Sequence, residues 1–266
     1  MTTLRRTDTK YDNNGQYSRA SILRYEKIFG AGYISTGGPA TTTYLCNLLG
    51  NKLQPGVKVL DVGSGIGGAA FHLAREYGAI VTGVDLSPEM TDLALDATAD
   101  SGVSGQVTFL LADVLETEFD EPFDIIWSRD ALMHVHDKKR LFAKLYSLLN
   151  DGGQLVITDY ARGQQPGTPE FEAYAKSTGY HLVEPAAYGK LLEEAGFTDV
   201  IAEDATPKFT EILKNEPVNL AANREDFLSS FSEADLNYLV DRWAMKVRFC
   251  EANDMKWGIY KATKKV

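Results

Sequence analysis

The chain has 266 residues, 27 Lys and Arg against 37 Asp and Glu, and a net charge of −10. An acidic surface repels nucleic-acid phosphates, which argues against such partners, and no apolar run reaches the roughly 20 residues of a membrane span. With 44% hydrophobic and 24% charged residues, the composition is that of a soluble protein with a full core.

The N-terminus, MTTLRRTDTKYDNNGQ, has two arginines but no apolar stretch, and reads as a polar arm rather than a signal peptide. Cys46 and Cys250 make no metal or disulfide pattern, so a reducing cytoplasm is expected. Residues 20–30, ASILRYEKIFG, repeat at helical spacing up to Gly30. The loop AGYISTGGP follows, then a helix from about Ala40 to Leu49. Strands and helices then alternate: VKVLDV, the helix GAAFHLAREYG, AIVTGVD, a helix opened by SPEM, QVTFLLAD, FDIIWSRD, the helix KKRLFAKLYSLL and QLVITDY. Ser87 is a good N-cap, with Pro88 at the first helical position. This rhythm predicts a doubly wound parallel sheet, whose ligands sit beyond the carboxyl ends of the strands.

The rhythm changes after Tyr160. The loop ARGQQPGTPE leads to a helical stretch, FEAYAKSTGY, a further helix ending near AGF, and a short strand, DVIAED. Residues 206 to about 252 read as helices only, before a last strand, WGIYKATK. We expect one domain over 1–266. Residues 1–50 form an arm and helices acting as a lid. Residues 51–160 form the cofactor-binding core. Residues 161–266 supply the remaining core strands and an inserted helical cap.

The stretch VKVLDVGSGIGG is an apolar strand ending in an acid and running into a glycine turn. Gly63, Gly65 and Gly68 satisfy GxGxxG; Asp61 precedes them by two residues and Gly67 extends the series. Glycines there let a backbone approach a ligand closely. Asp85 ends the next apolar run, where an acid can accept hydrogen bonds from a ribose diol. The set resembles the first two motifs of Rossmann-like S-adenosylmethionine-dependent methyltransferases. That resemblance implies that Asp61 and the glycine backbone hold the methionine end, Asp85 takes the ribose hydroxyls, and Asp113 meets the adenine amino group. Tight strand-to-helix packing is the competing reading of the glycines, and a strand-end or helix cap that of Asp113.

The fourth strand exits through FDIIWSRDALMHVHD. It lacks an NPPY-like tetrapeptide and carries Ser128, Arg129, Asp130, His134 and His136 instead. Asp130 and His134 share a face if a helical turn begins there. With His136 and Asp137 they form a conceivable ligand set, but methyl transfer to an amine needs no metal, and none is expected.

Over Tyr17 to the C-terminus the chain is similar to phosphoethanolamine N-methyltransferases, known in plants, nematodes and some protists. Tyr17 with RYEKIFG, GYISTGG, LDVGSGIGG, GVDLS, SRDALMH, ITDY, FEAY, AGFTDVIAED and KWGIYKATK carry the likeness. It implies a seven-stranded sheet with an antiparallel last strand and S-adenosyl-L-methionine as cofactor, with S-adenosyl-L-homocysteine as product. Tyr17 and His134 match the pair that closes the site, and Asp130 matches the carboxylate that orients the acceptor nitrogen. Gln16, Tyr25, Ile34, Tyr160, Tyr174, Tyr180 and Lys246 are implied to line the substrate, the tyrosines and lysine around its phosphate. Ile34, Ser35, Leu86, Val114 and Arg129 are implied to lie beside the cofactor. One position departs: the family has an arginine between the places of Tyr174 and Tyr180, where this chain has Thr178.

A primary ammonium loses its proton near pH of about 10, by analogy with lysine. A base is therefore useful, and His134 has the pKa for it. Asp130 can hold and aim the nitrogen, Tyr17 can bond His134 and bring the arm down, and Tyr25, Tyr160 and Tyr174 suit methylammonium by cation–π contact. The expected function is N-methylation of phosphoethanolamine and its mono- and dimethyl forms to phosphocholine, by a cytoplasmic monomer. A non-phosphorylated amine such as glycine or sarcosine remains an alternative acceptor, and a non-catalytic S-adenosylmethionine-binding protein an alternative class. Asp61 argues against a nicotinamide dehydrogenase.

Overall fold

The computed structural model describes residues 17–163 and 165–266; the expectation for Gln16 lies outside the described residues. The chain runs through α1 (Arg19–Phe29), α2 (Gly38–Leu49), β1 (Lys58–Val62), α3 (Gly68–Tyr77), β2 (Ile80–Asp85) and α4 (Pro88–Thr98). It continues through β3 (Val107–Leu111), β4 (Phe123–Arg129), a 3-10 turn (Leu132–His134), α5 (Lys138–Leu148) and β5 (Leu149–Arg162). Then come α6 (Pro169–Thr178), α7 (Pro185–Glu194), β6 (Phe197–Asp204), α8 (Thr206–Ala222), α9 (Arg224–Leu228), α10 (Glu233–Glu251) and β7 (Met255–Lys264).

The seven strands form one sheet in the order β3-β2-β1-β4-β5-β7-β6. β1 to β5 pair in parallel. β7 slots antiparallel between β5 and β6. The order reverses at β1, which is flanked by β2 and β4, so the crevice for a ligand opens there. Strand alternation divides the core. Val59, Ile125, Trp127 and Val156 face α1, α2, α3, α8 and α10. Leu60, Ile126, Leu155 and Ile157 face α5 and α7. At roughly 25 cal/mol per Å², burial of such side chains on both faces is the main force holding the sheet in its two helical layers.

Local signals explain the helix starts that matter to the site. Ser87 caps α4 by accepting from the Met90 N–H at 3.3 Å, and Ser232 with Asp235 forms a capping box on α10. α2 begins at Gly38 rather than near Ala40, because Pro39 suits the first turn. The inserted helices α8 and α10 pack on α1, where Trp243 meets Phe29 and Tyr25 at ring separations of 5.2 and 6.2 Å.

Candidate active site

A cavity of about 290 Å³ opens above β1, β2 and β4. It is lined by Tyr17, Ile34, Ser35, Asp61, Gly63, Gly65, Asp85, Leu86, Asp113, Val114, Arg129, Asp130 and His134, among others. Elements from across the first half of the chain thus converge on one space.

The turn after β1 has left-handed backbone at Gly63 (φ 73°) and Gly65 (φ 55°), a conformation that favours glycine. A Cβ on Gly63 would collide with that of Ala131, and one on Gly65 would lie 3.0 Å from Ile34 Cδ1. Gly63 N–H and Ser64 N–H both donate to Val84 O, at 2.8 and 3.1 Å, which ties the turn to the end of β2. Asp85 accepts from Gly65 N–H at 2.8 Å and from Ser87 N–H at 2.9 Å. Each carboxylate oxygen keeps a lone pair for a further donor. Burial raises the pKa of Asp85, and those backbone donors counter the rise.

Asp61 is 2% exposed, and its Oδ2 has no hydrogen-bond partner among the described residues. Burial pushes its pKa up to about 7, against the pull of Arg129 and with a further push from Asp85. An orphaned buried carboxylate oxygen facing a cavity calls for a donor such as an ammonium. Together with the glycine cradle, this fits an amino-acid-bearing nucleoside. Asp113 lines the same cavity, and its Oδ1 accepts from Leu115 N–H at 2.9 Å. It both faces the ligand space and caps a turn, so the two readings of this acid coexist.

Arg129, 5% exposed, holds the loop between α1 and α2. One amino group donates to Gly38 O at 2.8 Å and Thr42 Oγ1 at 2.7 Å, and the other donates to Thr36 O. The loop is held from its far side by Glu216, whose Oε1 accepts from Gly37 N–H at 2.8 Å and whose Oε2 accepts from Trp243 Nε1 at 2.6 Å. Nothing in the local sequence marks Glu216; burial raises its pKa to about 7, with Trp243 and Gly37 opposing.

The SRDALMH segment differs from its sequence-based expectation. The helical turn starts only at Leu132, and Asp130 takes φ 50°, a conformation that a short acid tolerates. Asp130 and His134 therefore share the cavity without sharing a helix face. Asp130 Oδ2 accepts from Thr36 N–H at 2.9 Å, and Oδ1 from Trp257 Nε1 at 2.8 Å. His134 sits on a turn pinned by the buried Lys138, whose Nζ donates to Leu132 O and Val135 O at 2.7 Å each. The Tyr17 hydroxyl is 3.1 Å from His134 Nε2. Burial, with Lys138 and His181 adding, lowers the His134 pKa to about 4. The near-neutral value expected from the sequence is thus corrected: the imidazole is neutral at pH 7 but a weaker base.

Tyr180 extends the site beyond His134, with ring centroids 5.1 Å apart. It also meets Tyr160 and Tyr174, at 6.0 Å each. Lys246 Nζ donates to the Tyr160 hydroxyl at 2.9 Å and is 4% exposed. Burial and the charge of Arg242 lower its pKa to about 7, with Glu216 and Asp130 opposing. Tyr25 lies further out; its hydroxyl is 3.3 Å from that of Tyr238, and burial raises its pKa. The Thr178 hydroxyl turns back to its own helix, donating to Tyr174 O at 3.0 Å and Ala175 O at 3.1 Å. Sequence reasoning missed Glu216, Trp257 and Thr36, whose contacts join positions far apart in the chain. Among the described residues no group of three or more His, Cys, Asp or Glu is arranged to hold a metal ion, and His136 packs on His181 instead.

A reversed last strand, a glycine cradle and acids at successive strand ends define a class I methyltransferase. A family model described as "Methyltransferase domain" matches residues 59–153. The chain belongs to the phosphoethanolamine N-methyltransferase family. It is 34% identical to the phosphoethanolamine N-methyltransferase of Plasmodium falciparum, over 97% of each chain. It is 41% identical to phosphoethanolamine N-methyltransferase 1 of Arabidopsis thaliana, over 96% of this chain and 51% of that one. The chain thus spans about half the length of the plant relatives it matches. Phosphoethanolamine N-methyltransferase 2 of Haemonchus contortus, solved with phosphomonomethylethanolamine and S-adenosylhomocysteine, superposes with a TM-score of 0.91. That match is 33% identical and covers 96% of this chain and 60% of the nematode one. The mycolic acid cyclopropane synthase CmaA1, at 20% identity and a TM-score of 0.79, shares the fold.

Proposed function

We propose that this chain binds S-adenosyl-L-methionine and methylates the nitrogen of phosphoethanolamine or of its mono- and dimethyl forms, ending at phosphocholine. The observation that carries the reading is the Tyr17–His134 hydrogen bond, which stands where the cavity meets the tyrosine–lysine cluster. A methyl donor on one side and an anionic amine on the other would meet at Asp130.

When bound, S-adenosyl-L-methionine supplies an electrophilic sulfonium methyl group. Asp61 and the backbone at Gly63 and Gly65 would hold its amino-acid end, Asp85 its ribose, and Asp113 with Leu86 and Val114 its base. Ile34, Ser35 and Arg129 would shape the wall between cofactor and acceptor. Asp130, fixed by two donors, would accept a hydrogen bond from the acceptor nitrogen and aim its lone pair along the transfer line. His134 keeps its lone pair at neutral pH and would take the proton the nitrogen loses, with Tyr17 orienting the ring. Tyr25, Tyr160, Tyr174 and Tyr180 would wall the substrate, favouring methylated ammonium by cation–π contact, and Lys246 would meet its phosphate. Of the lid expected over 1–50, the described residues 17–50 would cover the 51–160 core beside the helices inserted within 161–266, excluding water; residues 1–16 lie outside the described residues. We also propose that the chain acts as a cytoplasmic monomer without a nucleic-acid partner.

The test is a panel of amines, with and without phosphate, assayed for labelled-methyl transfer. Phosphobases should be methylated in preference to ethanolamine, glycine and sarcosine. Preference for an unphosphorylated amine would overturn the substrate assignment, and cofactor binding without turnover would overturn the enzymatic one.

A further inference from the structure

Eight of the nine arginines among the described residues donate a hydrogen bond to a carboxylate, carbonyl or hydroxyl oxygen. Arg242 is the exception. It stands one turn before Lys246 on α10, half-buried, with its guanidinium carbon 5.7 Å from the Tyr174 ring centroid. Tyr25, Tyr180 and Tyr238 lie within electrostatic reach of it. Lys246 is buried on the Tyr160 hydroxyl, and Tyr160 packs on Tyr180 with ring centroids 6.0 Å apart. Two like charges one helical turn apart repel, and Arg242 adds to burial in pushing the Lys246 pKa down. Glu216 and Asp130 offset part of that repulsion at Lys246, and an anion held between the two cations would relieve the rest. On the neighbouring helix α6, Thr178 is turned back on its own carbonyls and Lys176 is exposed. The Tyr174 hydroxyl is buried in the same cluster, beside that of Tyr180.

We propose that Arg242 is the specificity residue for a dianionic acceptor, gripping the phosphate with its planar fork while Lys246 and the Tyr174 hydroxyl complete the shell. The assignment rests on the proposed function and names the group that selects phosphorylated over unphosphorylated amines. A guanidinium suits phosphate through paired, parallel donors, and among the described residues no carboxylate is hydrogen-bonded to it. The tyrosine rings keep it partly dry, which strengthens each contact.

The experiment compares the parent with Arg242→Gln and Arg242→Lys, each checked for an unchanged melting transition and unchanged S-adenosylmethionine affinity. Losing a charged hydrogen bond should raise KM for phosphoethanolamine about ten-fold or more in Arg242→Gln, with kcat within a few-fold and KM for ethanolamine unmoved. Calorimetric binding of phosphocholine should weaken by a similar factor, and Arg242→Lys should fall between, having the charge without the fork. If the parent uses phosphoethanolamine and Arg242→Gln leaves both its KM and phosphocholine binding unchanged, the assignment is overturned. A parent that neither binds nor methylates any phosphobase sinks the proposed function first, and this assignment with it; the two failures are told apart by the parent alone.

Discussion

The indole N–H of Trp257, on the last strand, donates to Asp130 Oδ1 at 2.8 Å, joining the middle of the chain to its end. Thr36 N–H takes the other oxygen at 2.9 Å. The carboxylate therefore enters the site already oriented, with one donor from the N-terminal loop and one from β7. Trp257→Phe keeps a ring to stack on Phe209, 5.6 Å away in the parent, but removes the donor. We expect kcat to fall about ten-fold or more, as for a hydrogen bond to a charged group. Cofactor affinity should stay within a few-fold. Stopped-flow single-turnover rates with parallel calorimetry would check this; unchanged rates would show that Asp130 needs no second donor.

Tyr17 and His134 should act in transfer rather than in cofactor capture. His134→Ala should lower turnover by about 10² or more, and Tyr17→Phe by less, since the ring stays in place. S-adenosylmethionine affinity should change little in either variant. Loss of folding or of cofactor binding in His134→Ala would point instead to a structural histidine.

The glycine turn offers a steric test. Gly63→Val puts a branched side chain at φ 73° and onto Ala131, so cofactor binding should be abolished. Asp85→Ala removes the acceptor that Gly65 and Ser87 donate to, so affinity should drop at least ten-fold and the turn should loosen. Isothermal calorimetry on both variants decides. Parent-like binding in both would overturn the cofactor assignment.

The His134 pKa gives a signed dependence on acidity. Its folded value of about 4 lies below the ordinary value of 6.5. The unfolded chain thus binds its proton first, and the stability contributed by the buried neutral ring is lost as pH falls from 6.5 toward 4. Asp61, Asp159 and Glu216, each raised to about 7 by burial, act with the opposite sign in the same window. Subtracting the urea-unfolding profile of His134→Gln from that of the parent should isolate the histidine. The difference should grow with pH to no more than about 3 kcal/mol. A flat difference would mean that the ring titrates normally in the folded protein.

The fold was legible because its signals are local. Strand alternation, Ser87–Pro88 before α4 and the glycine turn after β1 each act within a few residues, and β1 to β5 lie where the apolar runs place them. Parallel order follows from the alternation of strands and helices, since right-handed crossovers leave few other topologies. Asp61 and Asp85 were legible for the same reason: an acid at a strand end keeps its place whatever packs around it.

What the sequence by itself determined, then, is the sheet, the glycine cradle and the identity of the candidate side chains. Only the tertiary structure decided which groups hold them. Asp130 leaves the expected helical face because its backbone turns left-handed and Trp257 and Thr36 claim its oxygens. His134 falls to a pKa of about 4 because surrounding atoms take it from water, and desolvation depends on every neighbour, not on spacing in the chain. Glu216 and Arg242 sit in helices whose patterns say only that one face is apolar. Their charge matters because α8 and α10 fold back on α1 and bring them to residues roughly 180 and 70 positions away. Burial and partner are sums over space, and periodicity along the chain cannot carry them.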